Sequence, residues 1–240
     1  MIALGKEQPI VNFTVEADPP SVYLVYRLRA EVVDGLLARL GCDPRLDLMK
    51  VRCLADDEPD YLVALNYYRV SGLARGLRVE WSLFIEDPES AGVPRYMVFD
   101  ACSAEFSIDP IDLNTRRTQI EHHRDGSNIV TRIADEGGRG GFECLIEVPP
   151  GDGAPLVRTH PEWSIANDFI YWTNGICDRT YYDAGMHHAN VRDVPSEFVK
   201  ITDHTVWASI VEPDPVHVLV FEGRIQLAMS PWENLARLGK

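Results

Sequence analysis

Three β-rich runs follow one another between Tyr61 and Arg117, and they limit what the chain can fold into. YLVALNYYRV, LRVEWSLFI and YMVFDACSAEFSI are dense in β-branched and aromatic residues, and the glycine- and proline-bearing turns SGLARG and EDPESAGVPR separate them. Runs of this kind joined by turn chemistry form neighbouring antiparallel strands, so the stretch is expected to be the middle of an antiparallel sheet. It ends in DLNTRR and carries the polar residues hardest to assign to mere surface: Glu80 between Val79 and Trp81, and the pair Arg116–Arg117.

The flanking chain continues the pattern. Val22–Leu28 is a β-branched and aromatic run with Arg27 as its anomaly. AEVVDGLLARLG places Val32, Val33, Leu36, Leu37 and Leu40 at helical spacing with Gly41 as terminator, so one short helix is expected there. DPRLDLMKVRCL reads as a strand and ADDEPD as a turn. TQIEHHRDG, SNIVTRIADEGGRGG and FECLIEV alternate between turn signals, which predicts a meander of hairpins. PPGDGAP is a long connection, and strands continue beyond it. Thr159 and Glu162 match a capping box, followed by an aromatic-rich stretch that fits helix or strand. VPSEFVKIT, TVWASIVEP and VHVLVFEGRI read as closing strands, and SPWENLARLG as a helix with Ser230 as cap. The expectation is a single, mainly β domain over 1–240, a strand-rich barrel or pair of sheets with a few short helices.

Charge and motifs exclude several functions. A formal net charge of −14 disfavours nucleic acid and anionic membrane as partners, since both require a positive footprint. No uninterrupted apolar run reaches membrane-spanning length, and the N-terminus lacks the pattern of a signal peptide, so a cytoplasmic location is expected. Cys42, Cys53, Cys102, Cys144 and Cys177 are odd in number, widely spaced and free of CxxC, which reads as reduced, buried thiols. No phosphate-cradling loop, dinucleotide fingerprint, GxSxG elbow or HExxH occurs, and no cofactor is expected. Adjacent histidines on a strand face opposite ways, so His122–His123 and His187–His188 would each supply one ligand to a common site; the spacing fits no metal signature.

Two residues stay open on pattern alone. Arg27 either snorkels at a rim or points inward and needs a carboxylate partner. Glu80 faces away from Val79 and Trp81, toward solvent in a half-exposed sheet or toward a polar lumen, where it would suit proton transfer.

At these residues the chain resembles the acetoacetate decarboxylase superfamily. The resemblance rests on VYLVYRLRAEVVDGLLARLG, YLVALNYYRV, the SG turn leading to VEWSLFI, YMVFDACSAEF, and YYDAGMHHANVRDVPSEFVKI, in that order and spacing. It implies a closed β-barrel or cone of antiparallel strands holding a small-molecule pocket, assembled as a homo-oligomer. Arg27 matches the arginine that holds the substrate carboxylate, and Glu80 matches a pocket glutamate; a second family glutamate on the preceding strand finds only Ala64 or Leu65. The Schiff-base lysine and its neighbouring lysine fall on Arg116 and Arg117. In acetoacetate decarboxylase itself a neighbouring cation activates the amine, but arginine stays protonated and forms no imine, so that chemistry has no amine to act on here. Lys50 is the one substitute among the four lysines, the others being Lys6, Lys200 and Lys240.

The expected function is therefore a lyase-, dehydratase-, cyclase- or isomerase-type enzyme of secondary metabolism, acting on a carboxylate-bearing, oxo acid-like metabolite without Schiff-base chemistry. Glu80, Arg27 and Arg116 are its candidate catalytic residues, and Arg27, Arg116, Arg117, Tyr68 and Trp81 its candidate substrate contacts. A non-catalytic binding protein and a decarboxylase using Lys50 are the alternatives.

Overall fold

The computed structural model describes residues 11–72, 75–86, 92–104, 116–134, 139–149, 169–172, 178–184 and 189–230. In chain order its strands begin with β1 (Val11–Val15), β2 (Ser21–Arg27), β3 (Asp47–Leu48), β4 (Leu62–Gly72), β5 (Gly76–Glu86) and β6 (Arg95–Ala104). They continue with β7 (Arg116–Arg117), β8 (Ile120–Asp125), β9 (Asn128–Ile133), β10 (Phe142–Glu147) and β11 (Phe169–Trp172). β12 (Asp178–Ala184), β13 (Asn190–Asp193), β14 (Val199–Asp203), β15 (His217–Glu222) and β16 (Ile225–Ser230) complete them. Two single-turn helices, α1 (Ala30–Val33) and α2 (Leu36–Arg39), follow β2.

The three β-rich runs between Tyr61 and Arg117 are β4, β5 and β6, paired antiparallel as expected. They sit in a 12-stranded sheet of order β13-β15-β2-β4-β1-β16-β12-β11-β6-β5-β3, with β7 on β6. β4 is long enough to serve two partners along one edge, β2 at Leu62–Tyr67 and β1 at Val70–Gly72, while β5 takes its other edge. Pairings thus lead from β4 through β1, β16, β12, β11 and β6 to β5, which pairs with β4 again. The expected meander forms a separate four-stranded sheet, β14-β10-β9-β8.

Strands β2, β4, β5 and β6 are buried on both faces, which is why β5 shows no polar–apolar alternation in its exposure. Val22, Leu24, Val63, Leu65, Val79 and Trp81 face one core, closed from outside by Ile129, Phe142, Cys144 and Ile146 of the small sheet. Val25, Ala64, Val70, Phe84, Val98 and Phe221 face a second core. The small sheet has only one buried face, so its strands alternate with period 2; its outer face carries Arg132 between Glu121 and Glu143 on neighbouring strands.

Several local expectations change. The single helix is two turns, because Gly35 adopts φ 78° and breaks the right-handed path; Gly41, at φ 74°, ends the second turn as expected. DPRLDLMKVRCL yields only β3, since β5 offers it two ladder positions, Ile85 and Glu86, and Val51 makes an isolated bridge to Asp60. TVWASIVEP is not a strand: Val206–Ser209 is a 3₁₀ turn that carries Trp207 to Asp100. The aromatic-rich stretch contributes strands β11 and β12. PPGDGAP beyond Pro149, the Thr159–Glu162 box, His160, His187–His188, Cys177 and residues 231–240 lie outside the described residues, and Ser230, expected as a helix cap, is the last residue of β16. Cys53, Cys102 and Cys144 are buried thiols, Cys42 a half-buried one. No helix among the described residues is long and apolar enough to cross a membrane.

His122 ties the two sheets together. It is buried while His123 is exposed, and its ring lies edge-on to Tyr67 at 5.1 Å. Nε2 lies 3.0 Å from the Pro20 carbonyl and Nδ1 3.0 Å from the Thr131 hydroxyl. A carbonyl only accepts, so Nε2 carries the proton and Nδ1 accepts from Thr131. Burial holds this imidazole neutral, with its pKa lowered to about 4.

This packing makes stability depend on pH. The unfolded chain takes up the His122 proton near pH 6.5 and the folded chain only near 4, so stability is lost as pH falls between those values. That loss should reach about 3 kcal/mol in denaturant titrations, and His122→Gln should flatten it relative to the parent chain. At Gly140, with φ 82°, an added Cβ would lie 1.7 Å from the His204 carbonyl oxygen, whereas at Gly126, φ 58°, it would meet nothing within 4 Å. Gly140→Ala should therefore cost at least ~3 kcal/mol and Gly126→Ala ~1 kcal/mol in urea melts.

Candidate functional site

Strand alternation on β5 sends Arg78, Glu80, Ser82 and Phe84 to the side of the second core. Register then assembles a polar row across four strands: Tyr23 of β2 faces Asn66 of β4, Asn66 faces Glu80, and Glu80 faces Ala101 of β6. In the adjacent row Tyr68 of β4 faces Arg78, and Arg78 faces Ser103 of β6. These groups are far from bulk water: Glu80 is 4% exposed, Arg78 3% and Asn66 2%.

The geometry within the row is specific. Tyr68 Oη donates to Glu80 Oε1 at 2.9 Å, and Arg78 Nε lies 3.8 Å from the same oxygen. Tyr96 Oη donates to Asn66 Oδ1 at 3.3 Å. Burial, with the Glu80 charge adding to it and a hydrogen bond to Asn66 opposing, raises the Tyr23 phenol well above its ordinary range, so Tyr23 stays a neutral hydroxyl. Ser82 Oγ and Ser103 Oγ are buried on this same face without a hydrogen-bond partner among the described residues. A carboxylate taken this far from water needs both a counter-charge and donors, and Arg78 and Tyr68 supply them. The row thus combines an acid–base group, a fixed cation and several hydroxyl groups in one low-dielectric place.

Of the residues singled out from sequence, Glu80 and Tyr68 meet here. Arg27 lies on the same face of β2 as Tyr23 but at the strand's exposed end, its side chain 56% exposed and its Nε 3.0 Å from Asp60 Oδ2. Trp81 and Arg116 belong to the opposite face. Trp81 packs in the first core, and the β-bulge across from Trp81 and Ser82 turns Phe99 and Asp100 toward that side. There Asp100 accepts from Arg116 Nη2 at 3.1 Å, Trp207 Nε1 at 2.6 Å and Arg139 Nη1 at 3.4 Å. Arg117 is exposed beside it. Arg27, Glu80 and Arg116 therefore do not converge on one cavity.

Lys50 is exposed, its ammonium 5.1 Å from the centre of the Tyr61 ring. Lys200 is exposed on β14, and Lys6 and Lys240 lie outside the described residues.

Residue pattern did not single out Arg78, Asn66 or Asp100. Arg78 was within its reach, because residues two apart on a strand share a face and Arg78 must point where Glu80 points. The polar side chain on β4 across from Glu80 is Asn66, one step beyond Leu65, and only the strand register reveals it. Asp100 depends on a bulge that no residue pattern announces.

Neither a family model nor a curated protein matches the chain. Among solved structures it is similar to the crystal structure of acetoacetate decarboxylase from Legionella pneumophila subsp. pneumophila str. Philadelphia 1, at 12% sequence identity and a TM-score of 0.56. That similarity covers 96% of this chain and 90% of the Legionella chain. The mainly β architecture described above thus has a solved counterpart, and the chain has an acetoacetate decarboxylase-like fold.

Proposed function

We propose that the chain is a lyase- or isomerase-type enzyme that moves a proton on an oxo acid-like carboxylate, at the buried row centred on Glu80 and without an imine. The observation that carries this reading is the Glu80 carboxylate held between the Tyr68 hydroxyl at 2.9 Å and the Arg78 guanidinium at 3.8 Å. Beside it stand two buried serine hydroxyls with no partner among the described residues. The fold likeness to a decarboxylase supports a lyase-type activity, and the pairings that return from β5 to β4 support a closed barrel or cone around this row.

In this reading Glu80 takes or returns the proton on the carbon beside the substrate carbonyl. Tyr68 orients the carboxylate, and Arg78 supplies positive charge for the acid group or the developing enolate. A substrate bound here meets these groups at low dielectric, which strengthens each of these contacts. Arg27, at the exposed end of the same face, steers the anionic substrate against the chain's −14 background. Arg116 serves the first core as the Asp100 partner. The lack of a lysine among the described residues of the row argues against the imine route, and the exposed position of Lys50 argues against its relocation there. A single domain acting as a homo-oligomer in the cytoplasm, on a small organic acid rather than nucleic acid or membrane, completes the proposal.

Solvent deuterium exchange into a panel of 2-oxo and 3-oxo acids, followed by NMR with carbon dioxide release measured in parallel, tests it. Glu80→Gln should lower turnover by roughly 10²–10⁴-fold. Arg27→Ala should raise KM in a salt-dependent manner and leave kcat near that of the parent chain. Full activity in Glu80→Gln would sink the assignment. Binding of an acid with no exchange and no carbon dioxide would favour a carrier instead, and a borohydride-trapped ketone adduct on Lys50 would restore the imine route.

A further inference from the structure

On the second-core side, where His217 faces Val25 of β2, lies a cluster that the proposed reaction does not use. Cys53 and Asp57 come from the segment between β3 and β4, and His217 is the first residue of β15. Their ligand atoms all lie within 4.8 Å of one another. Cys53 is 1% exposed and the His217 side chain 15%.

Each group is already aimed. The Leu54 amide donates to Asp57 Oδ2 at 2.7 Å, and that oxygen lies 2.9 Å from His217 Nε2. On the other side of the ring Asp193 Oδ2 lies 2.6 Å from Nδ1, while Asp193 Oδ1 accepts the Val218 amide at 3.2 Å. The main chain therefore fixes both carboxylates, and Asp193 fixes the plane and tautomer of the imidazole. A carboxylate behind a histidine, leaving the far nitrogen to face a second carboxylate with a thiol close by, is the arrangement that metal-binding histidines adopt.

We propose that Cys53 Sγ, His217 Nε2 and one Asp57 oxygen bind a zinc-type divalent transition metal, with Asp193 holding the imidazole from behind. The donor set is the argument for the metal class. Thiolate selects against magnesium and calcium, and one sulfur, one nitrogen and one oxygen suit tetrahedral zinc or cobalt with a fourth position for water. Ligand atoms around such an ion stand roughly 3.3–3.6 Å apart. The widest separation in the cluster would therefore close by about 1 Å, while the 2.9 Å between His217 Nε2 and Asp57 Oδ2 would open slightly. Binding releases the Cys53 thiol proton and the proton between His217 and Asp57. An imidazole bridging two carboxylates accounts for Asp57, His217 and Asp193, and Cys53, packed in the second core, adds a sulfur donor within the same radius.

Cobalt(II) is the direct probe. The full chain, stripped with a chelator and titrated with cobalt, should take up a single ion and show thiolate-to-cobalt charge-transfer absorption, which zinc then displaces. Cys53→Ser should remove that absorption, and Asp193→Asn should keep it while weakening affinity by about 10–100-fold. Glu80→Gln should bind cobalt as the parent chain does, which separates this site from the proposed reaction. A parent chain with no thiolate absorption, or cobalt uptake unchanged in Cys53→Ser, overturns the proposal, the second result marking adventitious binding to surface carboxylates.

Discussion

Everything distinctive in this protein depends on β4, β5 and β6 being covered on both faces. A strand with one wet face can place a charge outward at little cost. Buried on both sides, β5 cannot, and Arg78 and Glu80 must be satisfied by what the neighbouring strands bring to them. The sheet register therefore carries chemical meaning: a slip by one residue would exchange Tyr68 and Asn66 for Tyr67 and Leu65, and leave a buried carboxylate facing hydrocarbon.

The two cores solve their polar problems differently. In the first, Asp100 gathers Arg116, Arg139 and the Trp207 indole, and so anchors β7, the segment before β10 and the 3₁₀ turn after β14 to one carboxylate. Both arginines are partly exposed, which makes the arrangement a structural clasp at a margin. In the second core the charged pair is almost fully enclosed and accompanied by tyrosine, asparagine and serine. Natural cores retain a buried pair of this sort at a cost in desolvation, and hydrophobic residues of similar volume would pack there at least as stably. That cost is the physical reason to look for function in the second core before the first.

The position where the resemblance would put an imine-forming lysine holds Arg116, and the structure gives that arginine a partner and a face of its own. Its removal from the Glu80 side is a consequence of local geometry. β7 runs parallel to β6 with Arg116 opposite Cys102, and Cys102 belongs to the first core. A guanidinium there meets Asp100 rather than the row on the other side of the sheet.

Much of this architecture was legible in the residues. β-branched and aromatic density located β2, β4, β5, β6 and the hairpins of the small sheet, because strand preference is carried by the side chains themselves. The pairing of Glu80 with something polar was also implied, since a carboxylate between Val79 and Trp81 faces water or a partner. Which of the two it faces was not a property of the run. That choice was made by coverage: distant strands such as β1, β15 and β16 supply the second face, and local pattern contains no record of them. Partners set by register, by the bulge at Phe99–Asp100, or by loops closing on β15 likewise join residues far apart in the chain. Residue order was enough to locate the central strands β2, β4, β5 and β6 and to deny the stretch from Tyr61 to Arg117 a lysine. Enclosing Glu80 with Tyr68 and Arg78 took the assembled sheet, because burial is a relation between segments and no single segment holds it.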